Sequence, residues 1–476
     1  MSSYGLADTH EDTGPIGPVA LSALIALLVL SPLMRGGNRH VALIVLEAVA
    51  LAFLAVIAAG AGRPVFRPSR RLAVLGFLFL GPLWLAVLHL LPLPQALWNA
   101  LPGHAQYAQL MADAGIAQPG WLPLSLVPDA TLASLLAGIP LMAAFAAGYL
   151  ASTRQLKIVF AVIVGIAFCQ VMFGMLQLGG GRDSALSFGN THSGAFGTFA
   201  NTNHFANYLV MALAAYVWLA WSRLSETRRH GTLPRPHHPL HAGHPAPWIA
   251  GAVLIVMGIL MSRSRGATLA GLPAVLAAFA LALTVGSGAR PWRTTLMLVG
   301  GTVLAAVALV GVDALVARFD LQRMAADAPL RTMQAATTLE GAGHFWPFGA
   351  GWGTYYWVYP RFQPAELVGT AHHAHHDYAQ LLFEGGLAAV LLMAAFAWLA
   401  VARTATLVRT VMRRQRLRRG EMLVAICGLG LLGFLLHSLL EFNMHIPANA
   451  ILAALLAGVF LRPLDPVDGG EERADD

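Results

Sequence analysis

Twelve apolar blocks punctuate this chain, at about 16–34, 41–60, 72–91, 132–151, 156–178, 205–222, 248–262, 267–286, 294–315, 380–402, 422–441 and 447–462. Most approach the roughly 20 residues that carry a helix across a bilayer. In lipid each backbone polar group must be satisfied within its own segment, so such runs are predicted to be helices. The alternating ten-residue pattern of a membrane barrel is absent, and no internal repeat is evident. The pattern therefore predicts an all-α integral membrane protein: one polytopic bundle of about 12 transmembrane helices covering residues 1–476.

Composition strengthens that reading. Of 476 residues 57% are hydrophobic and only 11% charged, and the mean hydropathy is +0.64. A soluble domain carries about 25% charged residues. The formal charge of +7 is almost wholly arginine, Lys157 being the sole lysine. These arginines sit in short connections between apolar blocks, which is a topology signal and not a nucleic-acid surface. Cys169 and Cys427 lie inside apolar blocks and read as small buried hydrophobes. The N-terminus opens with Asp8, Glu11 and Asp12 in place of a basic region, so the first block is read as a retained span and not a cleaved signal.

The positive-inside rule orients the bundle. With the N-terminus cytoplasmic, inside connections hold Arg63, Arg67, Arg70 and Arg71; Arg154 and Lys157; Arg223, Arg228, Arg229 and Arg235; Arg290 and Arg293; and seven arginines from Arg403 to Arg419. Arg462 and Arg473 follow, in and before a cytoplasmic tail at 463–476. Both termini are then cytoplasmic. The outside connection 92–131 has no basic residue and is rich in Pro and Trp, which suits a partly interfacial helix. The outside connection 318–377 is long enough to be functional, and its aromatic content predicts order. The inside connection 223–246 carries Pro234, Pro236, His237, His238, His241 and His244 and reads as a flexible linker, with metal binding as the alternative.

Four polar features gather at the outer side. Arg263 and Arg265, in Ser262-Arg-Ser-Arg265-Gly266, break the positive-inside pattern. Arginine at a membrane boundary is costly unless it is used or snorkels, and two guanidinium forks match a diphosphate. The segment Ala371-His372-His373-Ala374-His375-His376-Asp377-Tyr378 offers imidazoles for proton transfer near neutral pH. Its alternatives are a zinc site, since His372 and His376 are four apart, and a solvated cluster. The glycine-rich stretch from Pro347 to Tyr356 offers Trp352 and Tyr355 as stacking surfaces for sugars, or an interfacial aromatic belt. Asn201, Asn203 and His204 can hydrogen-bond a polar ligand, or cap a helix. His437, Glu441, Asn443, His445 and Glu384 read as buried partners of the arginines or as packed polar residues. Glu47 and His89 take no role.

In this order, the stretch Gly197–His204, the Ser262–Gly266 motif, the loop Gly349–Tyr355 and the run Ala374–Tyr378 through Glu384-Gly385-Gly386 resemble the O-antigen ligase and polysaccharide polymerase superfamily of bacterial inner-membrane glycosyltransferases. The likeness covers roughly 155–450. It departs at His375-His376-Asp377, where the family more often has His-Asn-Asp. The resemblance implies a GT-C-like, metal-independent transferase without a cofactor, working at the periplasmic face of the inner membrane. Its donor would be a glycan on undecaprenyl diphosphate; its acceptor would be lipid A core, a second lipid-linked unit, or protein. His375 becomes the candidate base with Asp377 beside it, and Arg263, Arg265 and Arg331 the diphosphate ligands. Asn201, Asn203, His204, His372, His376, Trp352 and Tyr355 become other candidate substrate contacts. A transporter is the rival from another class. It favours repeats and polar groups at the midplane, whereas the polar clusters here sit at one face.

Overall fold

A computed structural model of the chain describes residues 16–61, 75, 78, 80–181, 184–188, 194–229, 244–285, 292–311 and 321–464. Asp8, Glu11, Asp12, Arg63, Arg67, Arg70, Arg71, Arg235, Arg290, Arg473 and the Pro234–His241 stretch lie outside the described residues. The chain is an all-α polytopic membrane protein. Seven helical segments are long and apolar enough to cross a bilayer, at 40–60, 128–150, 153–180, 202–226, 267–284, 377–414 and 419–437. Five shorter apolar helices fall at 18–33, 81–90, 245–261, 297–310 and 447–461, on the remaining five apolar blocks.

The described helices begin with α1 (Pro18–Leu33) and α2 (His40–Ala61), which pack on each other, and α3 (Gly81–Leu90). The 92–131 connection is more than a loop. Its ends pair as two antiparallel strands, β1 (Pro92–Pro94) and β2 (Trp121–Pro123). These enclose α4 (Gln95–Ala100) and α5 (His104–Asp113). Then come α6 (Pro128–Ala137), α7 (Ile139–Leu150) and α8 (Thr153–Gly180). Ser152 and Gln155 form a reciprocal capping box at the start of α8, with bonds of 3.2 and 3.0 Å, which satisfies two orphan N–H groups.

The core is organised around α9 (Thr202–Arg229), whose spanning window is 94% buried. It packs on α8, α10 (Pro245–Met261), α11 (Leu272–Thr284) and α16 (Arg419–His437). Small residues bring helices close. A Cβ on Gly148 would lie 2.1 Å from the Leu455 carbonyl oxygen, and one on Gly458 2.2 Å from that of Phe145. This seats α7 directly against α17 (Pro447–Leu461) by backbone approach. At one end of the bundle Glu226 pairs with Lys157 at 2.5 Å and with Arg419, tying α8, α9 and α16 together. The candidate site lies at the opposite end of α9 and α16.

The remaining elements are α12 (Trp292–Val310), α13 (Leu321–His344), the short α14 (Tyr355–Val358) and α15 (Asp377–Arg414). Two sequence expectations change here. The described part of 318–377 opens with a 24-residue helix, α13. The tenth block does not stop near 402: α15 breaks at Gly386, where φ is +54°, and its second part stays helical to Arg414, so Arg403, Arg409, Arg413 and Arg414 are helical and not in a loop. Arg403 is buried and donates to the Phe460 and Arg462 carbonyls at 3.1 and 2.6 Å. There its cation meets the negative end of α17. Only 17% of the α15 window is buried. Its exposed Leu391, Trp398 and Val401 present the apolar surface a lipid-facing helix needs.

Candidate active site

The site forms where the start of α9, the end of α16 and the histidine loop before α15 meet. The helix α16 ends at His437, short of the boundary at 441 expected from hydropathy. Glu441 therefore sits in the turn between α16 and α17, where it is 1% exposed.

Three groups from distant parts of the chain reach this carboxylate. His375 Nδ1 lies 3.0 Å from Oε2, and Arg331 on α13 lies 2.8 Å from Oε1. Asn203 donates its side-chain amide to Oε1 at 2.5 Å. Burial opposes the charge on Glu441, but the hydrogen bond and charge of His375 and the charge of Arg331 outweigh it and hold its pKa at about 2. An ionised carboxylate only accepts, so Nδ1 of His375 carries a proton, and in the neutral imidazole Nε2 keeps the lone pair. The His375 side chain is 31% exposed, so the basic nitrogen belongs to a ring that solvent and a ligand can reach.

His375 is held in place on both sides. Its φ is +50°, a left-handed conformation that costs a non-glycine residue energy and needs surrounding support. Ala374 N donates to Gln380 Oε1 at 3.1 Å, and Asp377 N donates to the Ser438 carbonyl at 3.0 Å. His376 caps α15 by accepting from Ala379 N at 3.2 Å. Phe442 presents its ring to His375, His373 and His204, with centroids 4.6–4.8 Å apart.

The sequence names Asp377 with His375 as a catalytic candidate, but the carboxylate that orients the imidazole need not be its neighbour. The structure gives that place to Glu441. Asp377 is fully buried and accepts from His445 Nδ1 at 2.8 Å and from Met444 N at 2.9 Å. Burial works against protonation of His445, but the Asp377 hydrogen bond and charge and the Glu384 charge prevail, and its pKa is raised. His373 is driven the other way, well below its ordinary value, by burial and by the neighbouring His445 and His204 charges.

Other predicted residues divide between support and surface. Asn201 accepts from Asn203 N at 2.8 Å and caps α9. His204 is buried, with Nδ1 3.2 Å from Asn443 Oδ1, so it braces the turn instead of facing outward. His372 and His376 do not share a helical face: His372 stacks on Tyr356 at 4.7 Å while His376 serves as a cap. Tyr355 is not a surface for sugars. It is 1% exposed, stacks on Tyr359 at 4.6 Å and bonds Thr338 through its hydroxyl at 2.8 Å. Trp352 is half-buried near Gly385.

The glycine-rich loop approaches protein backbone closely. A Cβ on Gly349 would lie 2.3 Å from the Glu384 carbonyl oxygen. Glu384, buried on α15, accepts from Gly353 N at 3.0 Å, Tyr355 N at 3.2 Å and Gln380 at 3.0 Å. The carboxylate thus joins that loop to the histidine loop through Gln380.

The Ser262–Gly266 turn follows α10. Ser262 and Ser264 are buried, and Arg263 and Arg265 between and beyond them are half-buried. Arg263 has φ +57°, the same uncommon region as His375. The turn abuts the end of α16: a Cβ on Gly266 would lie 2.5 Å from the His437 ring, four residues before Glu441. Glu441, read from the sequence as a buried partner of the arginines or a packed polar residue, does pair with Arg331; its role toward His375, and the parts of Gln380 and Phe442, are not foreshadowed there. The signal for Glu441 was the polar spacing His437, Glu441, Asn443, His445 at the end of an apolar block.

Residues 250–394 match the family described as O-antigen ligase. The match spans the Ser262–Gly266 turn, Arg331, the glycine-rich loop and the histidine loop, whereas Asn203 and Glu441 lie outside it. No curated protein matches the chain. The family match bears out the resemblance to the O-antigen ligase and polymerase superfamily and supports a glycosyltransferase of ligase or polymerase type in a multi-pass membrane protein.

Proposed function

We propose that the protein transfers a glycan from undecaprenyl diphosphate to a hydroxyl of lipid A core, at the periplasmic face of the inner membrane, with inversion and without a metal ion. The observation that carries this reading is His375 held by a buried, ionised Glu441, next to a turn that bears two arginines. In this scheme the bundle crosses the membrane twelve times with both termini cytoplasmic. The Glu226 cluster then marks the inner end and Glu441 the outer.

The chemistry follows from the groups present. A hydroxyl is a poor nucleophile and needs a positioned base. His375 Nε2 takes the acceptor proton, Glu441 stabilises the imidazolium through Nδ1–H, and the freed oxygen attacks the anomeric carbon. The bond from that carbon to the diphosphate oxygen breaks, and the electron pair leaves with the carrier. Arg263 and Arg265 stabilise the growing negative charge by preorganised hydrogen bonds. Arg331 contributes chiefly by neutralising Glu441, with its half-exposed edge turned to substrate. Asp377 acts one step away, through His445, by fixing the turn that carries Glu441.

Purified protein in lipid nanodiscs, given lipid-linked glycan and either lipid A core or a second lipid-linked unit, tests the proposal. One glycan block added to lipid A core supports it. A ladder of products on the carrier supports a polymerase on the same site. No transfer to either acceptor, nor to an added protein acceptor, refutes the transferase reading.

A further inference from the structure

Away from Glu441, α5, α14 and the turn after α14 border an open cleft of ≈ 590 Å³, lined by Gln106, Tyr107, Gln109, Leu110, Trp357, Val358 and Arg361. Its size falls in the range of small-ligand sites. The two walls are fixed before anything binds. On α5, His104 is buried and its Nε2 meets the Leu124 carbonyl at 2.9 Å, while Tyr107 packs against Phe345. On α14, Tyr355, Val358 and Tyr359 enter the core. That leaves Trp357 and Arg361, four residues apart, on the outer side. The Arg361 guanidinium lies over the Tyr107 ring at 5.8 Å and joins the walls.

The lining is unusual for a surface left bare. Trp357 is 63% exposed and Leu110 57%, beside two amides and one cation, with no carboxylate among the lining residues. An exposed indole next to carboxamides suits a sugar ring: its C–H face covers the indole, and its hydroxyls pair with amide donors and acceptors.

One wall of the cleft packs towards the histidine loop. Trp357 meets Tyr356 edge-on at 4.9 Å, and Tyr356 stacks on His372, three residues before His375. These packed rings tie the Trp357 wall to the loop that carries the base, and no residue of the Ser262–Gly266 turn lines the cleft. We infer that this cleft is a binding subsite for the oligosaccharide part of the acceptor, with Trp357 as its stacking platform. The inference rests on the transferase reading above. The α5 wall belongs to the 92–131 segment, outside the family match at 250–394.

The test uses the full chain in nanodiscs, with lipid A core or the second lipid-linked unit as acceptor, whichever the wild type uses. Trp357→Ala should raise the acceptor KM by roughly threefold to tenfold while leaving the donor KM and kcat near wild type. Trp357→Phe should restore most of the affinity, and Gln106→Ala should raise the acceptor KM more modestly. An active wild type with an unchanged acceptor KM in Trp357→Ala overturns the subsite alone, as does a rise confined to the donor KM. A defect that varies with nanodisc lipid and not with acceptor overturns it in favour of a membrane-interface role for Trp357. A wild type inactive with every acceptor overturns the transferase reading and the subsite with it.

Discussion

Replacing Glu441 with glutamine changes one oxygen for an NH₂ group at nearly constant volume, and the consequences can be worked from its three contacts. In the native site Oε2 accepts from His375 Nδ1 at 3.0 Å. A glutamine amide can donate to that nitrogen, which would move the imidazole proton to Nε2 and remove the basic lone pair from the acceptor side. A wrong tautomer in a histidine base costs about 10⁴ in kcat, and general-base catalysis as a whole contributes about 10²–10⁴. The expected loss in kcat for Glu441→Gln is therefore about 10²–10⁴, close to that of His375→Ala. The stability effect is at most of similar size. The distance from the ordinary carboxylate value of 4.5 to about 2 corresponds to about 3 kcal/mol favouring the ionised form. The Arg331 share is discounted because that side chain is 44% exposed and screened by water. Single-turnover transfer in the two single variants and the double variant checks the reasoning. The double variant should be no slower than His375→Ala alone, because the two residues act as one unit. Multiplicative losses, or a Glu441→Gln enzyme with wild-type kcat, would refute it.

Other outcomes follow from the same geometry. Arg265→Ala should lower donor kcat/KM by about 10- to 100-fold, the worth of a charge-assisted hydrogen bond; an unchanged donor KM and kcat would remove it from the diphosphate site. Thermal stability of the solubilised protein should peak near neutrality. The raised pKa of His445 gives a contribution present below 6.5 and lost as pH rises through the folded value. The depressed pKa of His373 gives one present above 6.5 and lost as pH falls. Asp377→Asn should flatten only the alkaline arm of a Tm-versus-pH curve, and equal flattening of both arms contradicts the assignment. Gly349→Ala places a Cβ 2.3 Å from the Glu384 carbonyl oxygen at φ +81°. It should cost about 2–4 kcal/mol, and an unchanged Tm would show that the loop shifts freely.

How far the sequence foretold this arrangement depends on the range of the interaction. Each of the twelve apolar blocks falls on an apolar helix, because a run of lipid-compatible side chains constrains its own backbone and needs no distant partner. The ends were less legible. Hydropathy does not distinguish a helix that stops at His437 from one that continues to Glu441. Nor does it reveal that the arginines of α15 stay helical because Arg403 finds the carbonyls of α17. The candidate base was visible as a histidine before an apolar block. Its partner was not, since His375 and Glu441 are 66 positions apart and only the turn between α16 and α17 joins them. Asp377 was the nearer carboxylate in sequence, yet the cap at His376 and the Asp377 N–H bond to Ser438 turn it onto His445. Tyr355 illustrates the opposite error: an aromatic beside glycines resembles a ligand platform until its hydroxyl is found bonded to a buried Thr338.

The central claim is that His375 moves the acceptor proton while other groups hold the donor. Donor dissociation constant and single-turnover transfer, measured in the same nanodisc preparations of wild type and His375→Ala, test it most directly. The account predicts an unchanged donor Kd with transfer slowed by about 10²–10⁴. Transfer at the wild-type rate by His375→Ala would contradict it.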